Sequence, residues 1–412
     1  MTNKICRFCS TPLRLDMVDL GSQPAANAYL TKTQIDHGEE KRYPLHARVC
    51  ESCWLVQVDS PISHDVIFNA DYPYFSSYAA SWVAHAETYA REMTKRLGLN
   101  ESSLVIEVAS NDGYLLQYFG QSGIPVLGVE PTANTAAVAE ARGVPTEVAF
   151  FNEATGRALA SRGFSANLMV ANNVLAHVPD IADFVAGFPL VLKDEGILTF
   201  EFPHLLKLIE FAQFDTIYHE HFSYLSLLAV EKVLAANGLR AFDVESLDTH
   251  GGSLRLFCAH AKSSFAETRA IRDLRLEERS AALDTPAPYL SFARRAEAIR
   301  DEFLDFLDQA ERESKRVAAY GAAAKGNTFL NYAGVTAPRI QAVFDANPHK
   351  QGRYLPGSHV PILAPAAMSE LRPDYLLILP WNLKQEVMGS MGAIRDWGGR
   401  FVIAVPHIEI TD

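Results

Sequence analysis

Two cysteine pairs, Cys6-Arg7-Phe8-Cys9 and Cys50-Glu51-Ser52-Cys53, constrain the start of the chain most strongly. A CxxC turn aims two thiolates at one point, and two such turns complete a closed tetrahedral zinc site. Residues far apart in sequence are then pinned together, so the segment between the pairs must be a folded excursion. The metal is expected to supply folding free energy rather than chemistry to a lobe rich in turn residues such as Gly21-Ser22-Gln23-Pro24. Buried or redox thiols are the alternative reading. The fifth cysteine, Cys258, lies alone in the apolar run LRLFCAH and reads as strand core; five cysteines in 412 residues do not make a disulfide scaffold.

A chain of this length buries ample core in two or three domains. Its formal net charge of -12 and pI of about 5.6 argue against a general nucleic-acid binder. No apolar run approaches the roughly 20 residues of a membrane helix, and MTNKICRFCS has no signal-peptide core. The expectation is a cytoplasmic protein with neither nucleic acid nor membrane as partner.

After an amphipathic helix over Ser81–Leu97, Leu104–Val108 reads as a short buried strand. It runs into Ala109-Ser110-Asn111-Asp112-Gly113 and a helix over Tyr114–Phe119, and the next strand, Val126–Val129, ends in Glu130-Pro131. The separation of Glu107 and Glu130 suits one strand–helix–strand unit, with a carboxylate placed to grip a ribose diol. A dinucleotide fold would want GxGxxG after the first strand, and that is absent. A turn carrying Asp112-Gly113 without a pyrophosphate cradle suits a nucleoside that has no phosphates, such as S-adenosylmethionine. Asp112 would face its ammonium, Glu130 its ribose, and Phe150-Phe151 its adenine. Strand Asn167–Ala171 leads to Asn172-Asn173 and His177, and strand Ile197–Phe202 follows. Ordinary strand-end polarity explains each residue singly.

Ile217–Leu225, IYHEHFSYL, collects Tyr218, His219, Glu220, His221 and Tyr224. Such groups take protons, fix a neighbour's tautomer or donate to a developing oxyanion. A satisfied polar loop or a zinc site is the alternative, although HEH lacks HExxH spacing. Asp71–Tyr78, with Tyr72 and Tyr74 around a proline, reads as a cleft-lining loop or an aromatic hinge. His250, opening His250-Gly251-Gly252-Ser253-Leu254-Arg255, is an acid/base candidate or a turn residue beside glycines that need φ > 0.

Asp284–Pro288 breaks the composition between the charged helical runs Glu267–Leu283 and Ser291–Arg316. A second α/β unit follows, with strands at Arg316–Tyr320, Ile340–Asp345, Asp374–Leu379 and Arg400–Val405. Gly321-Ala322-Ala323-Ala324-Lys325-Gly326-Asn327-Thr328 is not a Walker A loop. Its small residues, with Asn327 and Thr328 entering a helix, allow backbone amides to approach a phosphate, and Lys325 adds charge. Tight strand–helix packing is the alternative. His349-Lys350-Gln351-Gly352-Arg353 reads equally as a phosphate contact and a solvated loop.

Taken together, the CxxC pairs, YPY, EVASNDG, GVEPT, ANNVLAHV, FDTIYHEHF, HGGSLR, YGAAAKGNT and FDANPHKQGRYLPG resemble the S-adenosylmethionine-dependent sugar C-methyltransferases of deoxysugar biosynthesis. The resemblance spans essentially the whole chain. It implies an α/β architecture with a zinc-binding lobe over 1–70, a class I methyltransferase Rossmann-like core over 71–284, and a second Rossmann-like domain over 285–412 that helps hold the substrate's nucleotide diphosphate. It implies a monomer acting on a nucleotide-linked keto-deoxysugar, with thymidine diphosphate as carrier and carbon 3 favoured for methylation. By motif, His221 is the base that removes a proton next to the ketone, Tyr218 orients or donates to the sugar oxygen, and Glu220 holds a neighbour. Tyr72 and Tyr74 close over the sugar, while His177 and His250 are further acid/base candidates. Cofactor contacts fall on Glu107, Ala109, Asn111, Asp112, Gly113, Glu130, Phe150, Phe151, Asn172 and Asn173; substrate contacts fall on Gly321, Lys325, Asn327 and Thr328. Ala109 stands where members often have Gly, and His219 where relatives can carry an acid. An O- or N-methyltransferase on a related sugar would not require deprotonation of carbon, so the dense Tyr/His/Glu cluster favours C-methylation. A non-catalytic nucleotide-sugar-binding protein is the reading from another class, and cofactor affinity separates it from the enzymes.

Overall fold

A computed structural model describes residues 4–59, 75–78 and 80–412. Tyr72 and Tyr74 lie outside the described residues. In chain order the strands are β1 (Leu15–Pro24), β2 (Arg42–Val49), β3 (Val56–Val58), β4 (Val105–Val108), β5 (Val126–Val129), β6 (Thr146–Glu147), β7 (Ala166–Asn172), β8 (Leu192–Pro203), β9 (Ser223–Tyr224), β10 (Leu239–Leu247) and β11 (Ser253–His260). The last six are β12 (Val317–Tyr320), β13 (Val343–Phe344), β14 (Ile362–Leu363), β15 (Tyr375–Ile378), β16 (Arg400–Ile403) and β17 (Glu409–Thr411). They form three sheets.

The first sheet is antiparallel in the order β1-β2-β3-β9. Its last strand comes from the YHEHF segment, where Tyr224 pairs with Val56 and Ser223 with Gln57. Arg7, between the first two cysteines, donates to the carbonyls of Val58 and Phe222, clamping the same junction.

The central sheet has the order β10-β11-β8-β7-β4-β5-β6. Strands β4 to β8 run parallel and β11 pairs antiparallel with β8. Every residue of β4 is buried, as expected where helices cover both faces of a parallel sheet. The order reverses at β4, whose neighbours are β5 and β7. Ligands of open α/β sheets sit outside the carboxyl ends of such strands. That geometry puts Ala109–Gly113, Glu130 and Asn172-Asn173 at one crevice.

The third sheet, β14-β13-β12-β15-β16-β17, is parallel except for its last strand. The composition break at Asp284–Pro288 is not a slack linker. Helix Ala287–Arg312 starts inside it, with proline in its first turn, where a missing N–H costs nothing. Tyr289 is fully buried and donates to the Leu283 carbonyl at 2.8 Å. The buried face of this helix joins Leu15, Met17 and Leu20 of the first sheet and Val317 and Tyr375 of the third in one apolar core. β13 is shorter than the expected Ile340–Asp345, and the Asp345 carboxylate accepts from the Ala322 N–H in the loop after β12.

Candidate active site

A cavity of about 1410 Å³ opens where the three sheets meet. The first sheet's excursion contributes Asn27, Tyr29 and Tyr43, the central crevice Ala109, Asn111, Glu130, Phe150, Phe151, Asn172 and Asn173, and the third unit Lys325, Asp345 and Lys350. Tyr218, Glu220, His221, His177 and His250 line the same space.

The crevice loop is held by the acid at the end of β5. Glu130 Oε2 accepts from the Asn111 N–H at 2.9 Å, and Oε1 accepts from the Thr132 N–H at 2.9 Å. The Asn111 side chain in turn accepts from the Ser76 N–H at 2.8 Å, which docks the segment after YPY. Ala109 adopts φ +58° and Asn111 φ +48°. Three of the expected cofactor residues lie off the cavity. Asp112 does not line the cavity: its buried carboxylate faces the Arg142 guanidinium at 3.2 Å and accepts from Ser77, so it stabilises the loop from behind. Glu107 and Gly113 also lie off the cavity, and burial beside Glu130 and Asp112 pushes the Glu107 carboxyl well above the usual carboxylate range. Phe151 touches the cavity but packs mainly into Phe184 and Phe188, whereas Phe150 is 38% exposed.

The YHEHF segment spreads its groups in different directions. His221 Nδ1 donates to the Thr216 carbonyl at 3.1 Å, and His177 Nδ1 donates to the Glu220 carbonyl at 2.9 Å. In each neutral ring that leaves Nε2 as the basic nitrogen. The two rings meet edge to face at 4.7 Å, and the Tyr218 ring lies 4.0 Å from His221. Desolvation pulls His177 down to about 4. Burial holds His221 well below the ordinary histidine value, and nearby positive charge adds to this. Both are therefore neutral at pH 7. Glu220 accepts from Asn27 Nδ2 at 2.8 and 3.0 Å, which ties the segment to the first lobe. His219 is buried away from the cavity, with Nε2 donating to the Pro44 carbonyl at 3.2 Å. It anchors the segment. His250 adopts φ +55° and lies 5.4 Å from the Trp82 ring. The following Gly251 has φ +87°, and a Cβ there would meet Trp381 at 2.4 Å.

The turn after β12 departs from its expected phosphate cradle. The Ala322 N–H donates to Asp345 Oδ2 at 2.7 Å, and Gly321, at φ +89°, packs against Pro380. Asn327 Nδ2 donates to the Ala26 carbonyl at 2.6 Å, and Thr328 Oγ1 to the Ile217 carbonyl at 3.1 Å. Gly321, Asn327 and Thr328 do not line the cavity; the Asn327 and Thr328 side chains tie this unit to the other two. Among these four residues only Lys325 reaches it.

Away from the cavity, the sulfurs of Cys6, Cys9, Cys50 and Cys53 lie within 4.8 Å of one another, with Cys6–Cys53 at 3.6 Å and Cys9–Cys50 at 3.4 Å. A tetrahedron with Zn–S bonds of about 2.3 Å has sulfurs roughly 3.8 Å apart, so the set fits zinc.

Comparison with known proteins fixes the family. Residues 6–68 match the family described as a zinc binding domain, 82–244 a methyltransferase domain, and 248–406 a C-methyltransferase C-terminal domain. The chain is 37% identical over 405 residues to the C-methyltransferase NovU of Streptomyces niveus, covering 98% of this chain and 96% of that protein. This chain belongs to that C-methyltransferase family. Solved structures similar to it include the magnesium protoporphyrin IX methyltransferase of Synechocystis with bound SAH (14% identity, 43% of this chain and 83% of that one, TM-score 0.35). Another is an S-adenosylmethionine-dependent methyltransferase of Clostridium acetobutylicum (12% identity, 43% and 92%, TM-score 0.35).

As a member of this family the chain is an S-adenosylmethionine-dependent C-methyltransferase with a zinc-binding N-terminal lobe. The crevice fits the cofactor on its own evidence: Asn172 Oδ1 and Asn173 Nδ2 are buried at its edge without a partner among the described residues. Among the described residues no helix is long and apolar enough to cross a membrane.

Asn27, Tyr29 and Trp82 line the cavity and were not expected at the site. The only sequence signal for Asn27 and Tyr29 is their setting in Ala25-Ala26-Asn27-Ala28-Tyr29, where small residues permit close approach. Tyr29 donates to the Ala322 carbonyl at 2.5 Å, so this excursion bridges to the third unit. Ala109 carries a left-handed backbone that costs an L-residue with a Cβ roughly 1 kcal/mol. Ala109→Gly is therefore expected to raise stability by up to about 1 kcal/mol, less the greater chain entropy of glycine when unfolded. S-adenosylmethionine binding should tighten or stay unchanged. Chemical denaturation and calorimetric titration check both; weaker binding would mean that the cofactor packs against the methyl group.

Proposed function

We propose that this C-methyltransferase acts on a nucleotide-linked keto-deoxysugar, with thymidine diphosphate as carrier, and methylates the ring carbon next to the ketone, carbon 3 being favoured. The observation that carries this reading is His221. Its Nδ1 hydrogen is committed to the Thr216 carbonyl, and a neutral, basic Nε2 remains in a cavity shared with the cofactor crevice. A C–H beside a ketone is weakly acidic and needs such a base, whereas O- or N-methylation requires no deprotonation of carbon.

S-adenosylmethionine supplies an electrophilic methyl group when bound. Asn111, Glu130, Phe150, Asn172 and Asn173 are the residues that would hold it, beside the Ala109 backbone. Glu130 accepts from two backbone N–H groups and, on Oε1, from the Thr132 hydroxyl, which leaves a lone pair on Oε2 for a ribose hydroxyl. Glu107, Asp112 and Gly113 shape the loop. His221 removes the proton; Tyr218, in ring contact with it, orients the sugar. His177 fixes the Glu220 backbone and shares the cavity wall with His221. Glu220 holds Asn27, and by family resemblance Tyr72 and Tyr74 are the proposed sugar contacts. His250 is the second acid/base group. The segment 1–70 supports the catalytic segment, 71–284 carries the cofactor and base, and 285–412 helps hold the nucleotide sugar.

The test is solvent deuterium exchange into thymidine diphosphate-linked 4-keto-6-deoxyhexoses, with S-adenosylhomocysteine in the cofactor site. Exchange at one ring carbon, expected at carbon 3, locates the methylated position. Absence of exchange from sugars that the enzyme binds would sink the carbon-deprotonation reading.

A further inference from the structure

Lys325 leaves the turn after β12 and enters the catalytic chamber. Two amides of the turn are already taken: the Asp345 carboxylate accepts from the Ala322 N–H at 2.7 Å, and the Ala323 N–H is bonded to the Gly321 carbonyl at 2.8 Å. An anion placed there would face that carboxylate. Lys325 instead lines the cavity with Tyr218, His221 and His250.

Burial lowers Lys325 below the ordinary lysine value, and Asp215 acts in the opposite sense to support its positive charge. Nζ donates to Asn382 Oδ1 at 2.6 Å and sits 4.4 Å from the centre of the Trp381 ring. The same indole donates through Nε1 to Asp215 Oδ2 at 2.6 Å, so the buried Asp215 acts on the cation across the ring. Among the described residues no carboxylate lies within ion-pair distance of Lys325, and Asn382 takes one of its three N–H donors. Its positive charge also opposes protonation of His221 and His250. A cation fixed in this way, with two further donors in the cavity that holds the neutral base, suits a negative charge that forms during the reaction.

We propose that Lys325 is a further catalytic residue, whose ammonium donates to the ketone oxygen of the sugar and stabilises the enolate formed as His221 removes the adjacent proton. The C–H bond breaks, its proton passes to His221 Nε2, and its electron pair forms the carbon–carbon double bond while the carbonyl becomes an alkoxide-like oxygen. Lys325 donates a hydrogen bond throughout and transfers no proton. This assignment rests on the deprotonation reading above, and it moves Lys325 from the diphosphate to the reacting carbonyl.

The experiment is deuterium exchange in thymidine diphosphate-linked 4-keto-6-deoxyhexose with S-adenosylhomocysteine present, comparing wild type, Lys325→Met and Lys325→Arg. Lys325→Met is expected to lower the saturated exchange rate about 100-fold or more, the typical effect of removing an oxyanion donor, with KM changed by less than about threefold. Lys325→Arg, which keeps a charged donor, should recover part of the rate. If the Met variant fails to fold, Lys325→Gln serves in its place and should lose at least about tenfold. A variant with unchanged saturated exchange and a KM raised tenfold or more overturns the proposal and returns Lys325 to the diphosphate. Loss of rate with no recovery in the Arg variant, together with a matching fall in melting temperature, assigns it a structural role instead. No exchange by the wild type would overturn the deprotonation reading itself, whereas exchange that survives Lys325→Met overturns this proposal alone.

Discussion

His221→Asn is expected to lower methyl transfer about 10³-fold, within the range that general-base catalysis contributes, while S-adenosylmethionine affinity stays within a few-fold of wild type. The substitution is conservative where structure is concerned. The Asn carboxamide can still donate to the Thr216 carbonyl, as His221 Nδ1 does at 3.1 Å, so the segment keeps its tether. What it lacks is the basic nitrogen. Solvent deuterium exchange should fall with methyl transfer, because both need the proton removed. The pH profile gives a second readout. Burial and neighbouring positive charge hold His221 well below the ordinary histidine value. The base therefore stays neutral as pH falls through 6.5, and the wild-type rate should decline only at lower pH. Unchanged exchange in His221→Asn would remove it as the base and transfer the role to His250 or His177.

Stripping zinc, or replacing Cys50 with Ser, is expected to abolish methyl transfer by 10²-fold or more although no cysteine lines the cavity. The catalytic segment hangs from the lobe that the metal closes. Tyr224 pairs with Val56 three residues beyond Cys53, Glu220 is held by Asn27, and His219 is anchored on Pro44. Structural zinc is worth on the order of 10 kcal/mol in small isolated modules, and a chelated lobe must find that stability in its apolar contacts alone. The expected result is an early unfolding transition, loss of turnover and cofactor affinity that falls much less, because the crevice is built from β4, β5 and β7. Scanning calorimetry, metal analysis and cofactor titration on the chelated enzyme would show this. Full activity without metal would mean that Leu55 and its apolar neighbours fold the lobe unaided.

The elements that the chain declares locally are found where the sequence places them. Val126–Val129 is a strand as expected, and the helix expected over Ser81–Leu97 runs Ala80–Leu97. Both follow from short-range rules: a continuous apolar run between turns, or apolar residues repeating on one helical face. The cysteine set is legible for the same reason, since its spacing already contains the turn geometry that converges four sulfurs. Roles that depend on where a side chain points were less legible. Asp112 and Glu130 are both acids at strand ends, yet one turns back to Arg142 and the other lines the cavity.

The sequence by itself determined the two α/β units, the zinc ligands and the concentration of proton-transfer groups in one segment, because each is written in residue types at short spacing. The tertiary structure alone decided which of those groups share a chamber. It buried His219 as an anchor, set the Asp345 carboxylate on the turn after β12, and brought Lys325 of the third unit into the same cavity as His221. Those outcomes depend on packing between segments hundreds of residues apart. Sequence spacing carries no record of such contacts, because burial and hydrogen-bond competition settle them only when the three sheets meet.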